Sequence, residues 1–477
     1  VKAYCFFSVH EELFHRVAER LRDYGVTQFS GFIWGRNQEQ TLSGRAISYD
    51  PLIVFTRDLL PKVMDGSPPD VAYLERRERE LGISITRMLA SERHQLTGRT
   101  HEQILRMAEV ALREIGAAYD RIQPDFAYSE SVSCFHSYVH YALARERGIP
   151  FWCLGNGRLR GRITVYSAAL QRWEHVDRLF AELRSRGLTE RERADAQHYV
   201  DLMRETRVAD RTNAQRGKTS IDRAEVTSFG AAWTRYFGDP DDPTAIPPWV
   251  AIARRAERMA RVTVTRARAV FERPVAGEKY VLYPLHYQPE ASTLVQAPMY
   301  LDQGALLEDI AKCLPIGHRL YVKEHTVNTG RWPLEFYDQI RAIPSVRLLG
   351  AAEPARPLIE NASAIAVITG TMGWEALMFG KPVITFGDVY FNMLPHVYRA
   401  GSVSKDGWYE LFQRAVTAHR DEPEALLALI SAMQQTSFPG NLANAIRVPA
   451  VLERENVDNI TLALVQAAGL SPQSAAS

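Results

Sequence analysis

The stretch A-I-A-V-I-T-G-T-M-G-W-E-A-L-M-F-G-K-P-V-I-T-F, residues 364–386, constrains the fold more than any other part of the chain. It opens on a β-branched apolar run, Ile365 to Ile368, short enough to be a strand buried on both faces of a parallel sheet. Thr369-Gly370-Thr371-Met372-Gly373 follows as a tight turn, and Trp374 to Phe379 as a short helix that Gly380 ends. Lys381-Pro382 then leads into a second apolar run, Val383 to Phe386. This is one βαβ unit, and its turn sets backbone N–H groups at a helix N-terminus, where partial positive charge favours a phosphate or another anion. Glu375, in the first turn of that helix, is placed to accept hydrogen bonds from a ribose or sugar hydroxyl. A plainer reading also holds: Gly370 and Gly373 only permit the sharp turn, and Glu375 only complements the helix dipole.

A chain of 477 residues is too long for one ordinary core, so two α/β domains with elaborations are expected. With 46% hydrophobic and 24% charged residues it reads as a globular, water-soluble protein. A formal charge of +1 argues against a general nucleic-acid footprint. The four cysteines, Cys5, Cys134, Cys153 and Cys313, match no zinc spacing and read as reduced and mostly buried. No run approaches the ~18–20 apolar residues that span a bilayer. The opening V-K-A-Y-C-F-F-S-V-H reads as a strand entering a helix rather than a signal peptide, and a cytoplasmic protein is expected.

In chain order, Lys2 to Val9 is a first parallel strand, and His10 to Tyr24 a helix with Leu13, Val17 and Leu21 on one face. Phe29 to Trp34 is the next strand, and Pro51 to Arg113 is charged and helical in period. A strand then ends at Glu130, a polar turn with Ser131 and Ser133 opens a helix to Arg147, and Gly148 to Leu154 begins another strand. This is a Rossmann-like half whose ligand edge holds Ser129, Glu130, Ser131 and Ser133. Residues 155–162 place Arg158, Arg160 and Arg162 after the next strand end, a cluster suited to an anionic acceptor, or else a loop whose arginines only solvate it. The expected domains are 1–167, Rossmann-like; 168–272, a mostly helical insertion; 273–450, a second Rossmann-like domain; and 451–477, a C-terminal helix with a disordered tail. Within the insertion, Arg254, Arg255, Arg258, Arg261, Arg266 and Arg268 read as helix-solvating charge in preference to a membrane-binding face, because no apolar anchoring face is evident beside them. Peripheral association with an inner membrane stays open.

In the second half three loops follow strand ends, where α/β sheets bind ligands. They carry His286, Gln288 and Glu290; Lys323, Glu324 and His325; and Thr369, Gly370, Thr371, Gly373 and Glu375. Lys323 and His325 suit a phosphate, the last turn cradles it, and Glu375 holds a ribose. A nucleotide-sugar donor needs that combination. No Walker A loop, G-x-G-x-x-G turn, G-x-S-x-G elbow or metal cluster accompanies them, so P-loop, dehydrogenase and hydrolase readings fall away.

L-Y-V-K-E-H (320–325) with Gly330-Arg331 downstream, T-G-T-M-G-W-E-A-L-M-F-G-K-P-V-I-T-F-G (369–387) and Y-Q-P-E-A-S-T (287–293) resemble the bacterial capsule polysaccharide biosynthesis family. The resemblance covers roughly residues 279–400. It implies a GT-B fold, two Rossmann-like domains facing a cleft, with a CMP-activated donor such as Kdo held by the C-terminal domain and a glycan or glycolipid acceptor by the N-terminal one. On that basis Lys323, His325, Thr371, Gly373 and Glu375 are carried over as donor-site residues. Where the family usually reads Lys-x-His-Pro, Thr326 replaces the proline. The expected chemistry is metal-independent glycosyl transfer with no cofactor beyond the donor substrate. Glu130 orients or deprotonates the acceptor hydroxyl, with Glu290 as the rival carboxylate; Ser131, Arg158 and Arg160 bind the acceptor. A nucleotide-sugar epimerase or hydrolase, a non-catalytic subunit of a polysaccharide-assembly complex, and a protein-modifying transferase are the competing readings.

Overall fold

The protein is described from a computed structural model covering residues 1–92, 95–96, 98–205, 230, 233–446 and 448–471. It divides into two compact units, one of residues 1–175, 229–248 and 433–477 and the other of 176–228 and 249–432.

Each unit is built on its own mainly parallel sheet. In the first, β1 (Lys2–Phe6), β2 (Gln28–Ile33), β3 (Tyr49–Val54), β4 (Phe126–Ser129), β5 (Phe151–Asn156), β6 (Arg162–Tyr166) and β13 (Phe438–Pro439) lie in the order β13-β6-β5-β4-β1-β2-β3. β1 pairs in parallel with β2 and β4, which places the reversal of strand order between β1 and β4. β3 overlaps the start of the stretch expected to be helical, Pro51 to Arg113. Its Pro51 lacks a backbone N–H, but β3 is the edge strand and pairs on one side only, so the proline is tolerated there. β5 and β6 form an antiparallel hairpin in place of the expected strand and arginine loop.

In the second unit β7 (Lys279–Pro284), β8 (His318–Lys323), β9 (Val346–Leu349), β10 (Ala364–Val367), β11 (Val383–Thr385) and β12 (Val397–Arg399) take the order β12-β11-β10-β7-β8-β9. This is the doubly wound dinucleotide-fold order, with its switch point between β7 and β10. The expected α/β class with two Rossmann-like domains is what the sheets show. β12 is only three residues long and had no sequence signal beyond a single valine and tyrosine.

The expected domain limits do not match the two units. Residues 433–450 return to the first unit, where Phe438 and Pro439 pair with Ile163 and Arg162. The C-terminal helix Arg454–Ala468 follows them and buries Val457, Ile460 and Leu464 in the same core as Leu13, Val17 and Leu21 of the helix Glu11–Leu21. Apolar burial drives this return: without that helix one face of the first sheet loses its cover. The expected insertion is likewise no separate body, since most of it belongs to the second unit. There Trp374 Nε1 donates to Tyr199 Oη of the helix Glu190–Glu205 at 3.2 Å. Residues 206–229, 231 and 232 of that insertion, and 472–477 of the expected tail, lie outside the described residues.

On the helix Pro248–Ala267, Arg258 Nε donates to Thr329 O and Arg261 Nη1 to Arg331 O, so these two arginines fasten the helix rather than only solvate it. Ile252 and Met259 are more than half exposed along its other face, apolar surface that the sequence reading did not find. Among the described residues no helix is long and apolar enough to cross a membrane.

Candidate functional site

The C-terminal ends of β7, β8 and β10 bring the second unit's candidates together. β10 ends at Val367, Ile368 and Thr369 follow it, and the next helix runs Thr371–Met378, starting three residues earlier than expected. The backbone N–H groups of Thr371 and Met372 therefore form its first turn, which has no intrahelical acceptors. Glu375 consequently lies on the second turn rather than the first. Gly373 is buried among Val367, Val383 and Phe391, and a Cβ there would stand 2.9 Å from Val367 Cγ2. It serves the packing of the helix on the sheet.

Across the switch point, His286 follows β7 and seats its imidazole against the turn after β10. The Thr369 N–H donates to His286 Nε2 at 3.3 Å, and a Cβ on Gly370 would fall 2.9 Å from the same nitrogen. Gly370 is thus required by close approach of the ring. Burial, helped by nearby His325, pushes the His286 imidazole down to about 3, so it is neutral and its proton sits on Nδ1. The Thr369 hydroxyl donates to Ser292 O at 2.8 Å, which laps the loop after β7 over the turn. Glu290 lies in that loop, half-buried, and its carboxylate accepts the Ser292 hydroxyl at 2.9 Å.

Two buried amides that the sequence reading missed hold His286 in place. Gln303 Oε1 accepts the His286 N–H at 2.8 Å while its Nε2 donates to His286 O at 3.1 Å, pairing with the main chain as a neighbouring strand would. Asn328 Nδ2 donates to His286 O at 3.0 Å. Gln303 stands in the first turn of the helix Gln303–Lys312, after the N-cap Asp302, and no sequence pattern distinguishes it.

After β8 the three candidates separate. His325 is half-buried, and its Nδ1 accepts the Val327 N–H at 3.2 Å, which leaves the ring proton on Nε2. Lys323 is buried, and its ammonium donates to the carbonyls of Glu324 and Ala351, both at 3.3 Å. Burial lowers its pKa, opposed by Glu324 and Glu353. Glu324 is a correction: it is fully buried, accepting from the His325 N–H at 2.7 Å and from the Tyr337 hydroxyl, so it braces the loop instead of meeting a ligand. Burial lifts it to about 7, against those hydrogen bonds and Lys323. Gln288 is half-buried, and its amide donates to Leu301 O and accepts from Gln303. Glu375 is half-buried beside Tyr199, and burial raises it to about 7.

In the first unit the arginine cluster disperses. Arg162 turns inward, donating from Nε to Ser437 Oγ at 2.6 Å and from Nη2 to Gln434 O at 2.9 Å. Arg160 is exposed, while Arg158, with φ +59°, is half-buried near Tyr166. Ser131 is half-buried in the turn after β4. Glu130 does not cap the next helix, which starts at Phe135 on Cys134; its Oε2 lies 3.0 Å from His10 Nε2. Among the described residues, His, Cys, Asp and Glu side chains nowhere gather in threes as metal ligands.

The site of the second unit lies within residues 277–395, and that segment matches the model of the capsule polysaccharide biosynthesis protein family. The resemblance carried by its motifs is borne out over this segment. No curated protein matches the chain. Among solved structures, the chain is similar to the β-Kdo 2,7 transferase of Thermosulfurimonas dismutans KpsC, at 12% identity and TM-score 0.38, over 74% of this chain and 89% of that one. The β-Kdo 2,4 transferase of the same KpsC matches at 16% identity and TM-score 0.38, over 72% and 87%. The UDP-GlcNAc 2-epimerase of Neisseria meningitidis matches at 13% identity and TM-score 0.23, over 98% and 99%.

Proposed function

We propose that this protein is a glycosyltransferase of capsule polysaccharide biosynthesis that binds a nucleotide-sugar donor on its second unit. The observation that carries the reading is the switch point between β7 and β10. There a helix N-terminus with two N–H groups lacking intrahelical acceptors stands beside a neutral, fully positioned histidine, inside the segment that matches the family.

In this reading the N–H groups of Thr371 and Met372 and the Nε2–H of His325 hold the donor phosphate. Lys323 adds positive charge to the field, with two carbonyls taking two of the three N–H groups of its ammonium. Glu375 serves the ribose. The acceptor oxygen bonds to the anomeric carbon as the bond from that carbon to the phosphate oxygen breaks. The electron pair leaves on the phosphate, and the acceptor proton passes to Glu130. No step calls on a metal, so transfer in excess EDTA should equal transfer without it. A CMP-activated acidic sugar is the favoured donor, and a glycan or glycolipid the favoured acceptor, with no nucleic acid involved.

Thermal-shift measurements with CMP, UDP and GDP test the reading. One nucleotide at about a hundred times its dissociation constant should stabilise the protein by ~2.7 kcal/mol, and His325→Ala should remove most of that shift. If none of the three moves the melting temperature, the donor site is not here. Donor turnover equally fast with and without acceptor would point instead to the epimerase or hydrolase chemistry.

A further inference from the structure

The first unit has a switch point of its own, between β1 and β4, and an ion pair that spans it joins His10 to Glu130. His10 is the first residue before the helix Glu11–Leu21, reached from β1 through Ser8, whose φ of +53° is a backbone state that non-glycine residues seldom adopt. Its ring is almost fully buried against Phe14, while the Glu130 side chain is one-third exposed. The inner member of the pair is therefore the imidazole, and the member offered to the ligand edge is the carboxylate. Gln38, buried, fixes this loop by donating to Ser8 O at 2.8 Å and Glu11 Oε2 at 2.9 Å. The second positive-φ residue on this edge, Arg158, lies beyond β5 on the other side of Glu130. Backbone states of this kind concentrate where a protein holds functional groups in place.

We propose that His10 is the positioning residue for Glu130, holding its carboxylate charged and oriented so that Glu130 takes the proton of an acceptor hydroxyl. This rests on the transferase reading above. It adds a partner to the base and locates the acceptor chemistry at the first unit's switch point. The electrostatics agree. Burial by itself would depress the His10 imidazole, but the charge and hydrogen bond of Glu130, with Glu11, outweigh it and raise its pKa. Glu130 also lies near the Cys153 thiol, pushed up to about 12 by burial, and near the Tyr166 phenol, raised by burial. Both stay protonated, and Arg158 beside Tyr166 is the nearby cation. His10 is thus a cation below its raised pKa, and the pair loses that cation as pH rises through it.

The test measures nucleotide release from a CMP-activated acidic sugar and from UDP-N-acetylglucosamine, with water as acceptor, in the wild type, His10→Gln, Glu130→Gln and the double variant. Melting shifts with CMP and UDP are followed in parallel. Each single variant should lower kcat by about a hundredfold, the double should fall no further, and the nucleotide shift should persist in all of them. The wild type should lose activity on the alkaline side as His10 deprotonates, and that limb should be absent in His10→Gln. Unchanged release in His10→Gln, or losses that multiply in the double variant, overturn the proposal while the donor site stands. A wild type that neither shifts with a nucleotide nor releases one overturns the transferase reading, and this proposal with it.

Discussion

Gln303 and Gly370 show how much of the candidate site rests on residues that position a neighbour, here His286. Gln303→Ala would leave the His286 N–H without its acceptor and remove one donor to His286 O, along with a partner of the Tyr283 hydroxyl. Urea unfolding should register a loss of ~2–3 kcal/mol, and nucleotide affinity should fall with it as His286 loosens. Gly370→Ala acts differently. Its Cβ would press on His286 Nε2, and the ring must move or the turn must open. We expect stability to change by less than ~1.5 kcal/mol while the nucleotide-induced melting shift is mostly lost. An unchanged shift would mean that the turn does not contact the donor. Glycine at 370 was legible as a turn residue, but the reason for it was not, because the contact comes from a histidine 84 positions earlier in the chain.

The loop after β8 illustrates how one element divides its residues between buried braces and a side chain left partly open. Lys323, Glu324 and His325 are consecutive, yet only His325 remains half-exposed. Glu324 prefers its proton in the folded state, with a pKa near 7 against about 4.5 unfolded. The unfolded chain therefore binds fewer protons between those values, and the wild type should lose stability as pH rises from 4.5 to 7, levelling off above. Glu324→Gln should abolish that decline and be the more stable protein at pH 8, by as much as ~3 kcal/mol. Urea midpoints across pH 4.5–8 would show it; parallel curves for the two proteins would contradict it. Glu324 and Gln288 resembled site residues because polar groups after a strand end are what sites are made of. Burial of Glu324 and the hydrogen bonds of Gln288 to Leu301 and Gln303, invisible in one sequence, make them braces.

The two units are each completed by distant parts of the chain. Ile460, fully buried, packs with Val457 and Leu464 in the core that also holds β1, β4 and the first helix. Ile460→Ala should cost ~2–5 kcal/mol and lower the unfolding transition of the first unit. The melting shift with nucleotide, which reports on the second unit, should survive. Calorimetry with and without the nucleotide separates these outcomes. A common loss of both would show that the units unfold as one.

Local pattern alone was enough to place the strands of the second unit up to β11, the βαβ turn and the histidines at the strand ends, because a strand buried on both faces must be apolar and its turn must be small and polar. β3 and β12 escaped that logic, one interrupted by a proline that only an edge strand tolerates and the other too short to carry a pattern. Which residues are left open and which are tied up was decided by the tertiary structure, since the burial of Glu324, the amide clamp of Gln303, the inward turn of Arg162 and the pairing of His10 with Glu130 all depend on chain segments brought together only by folding.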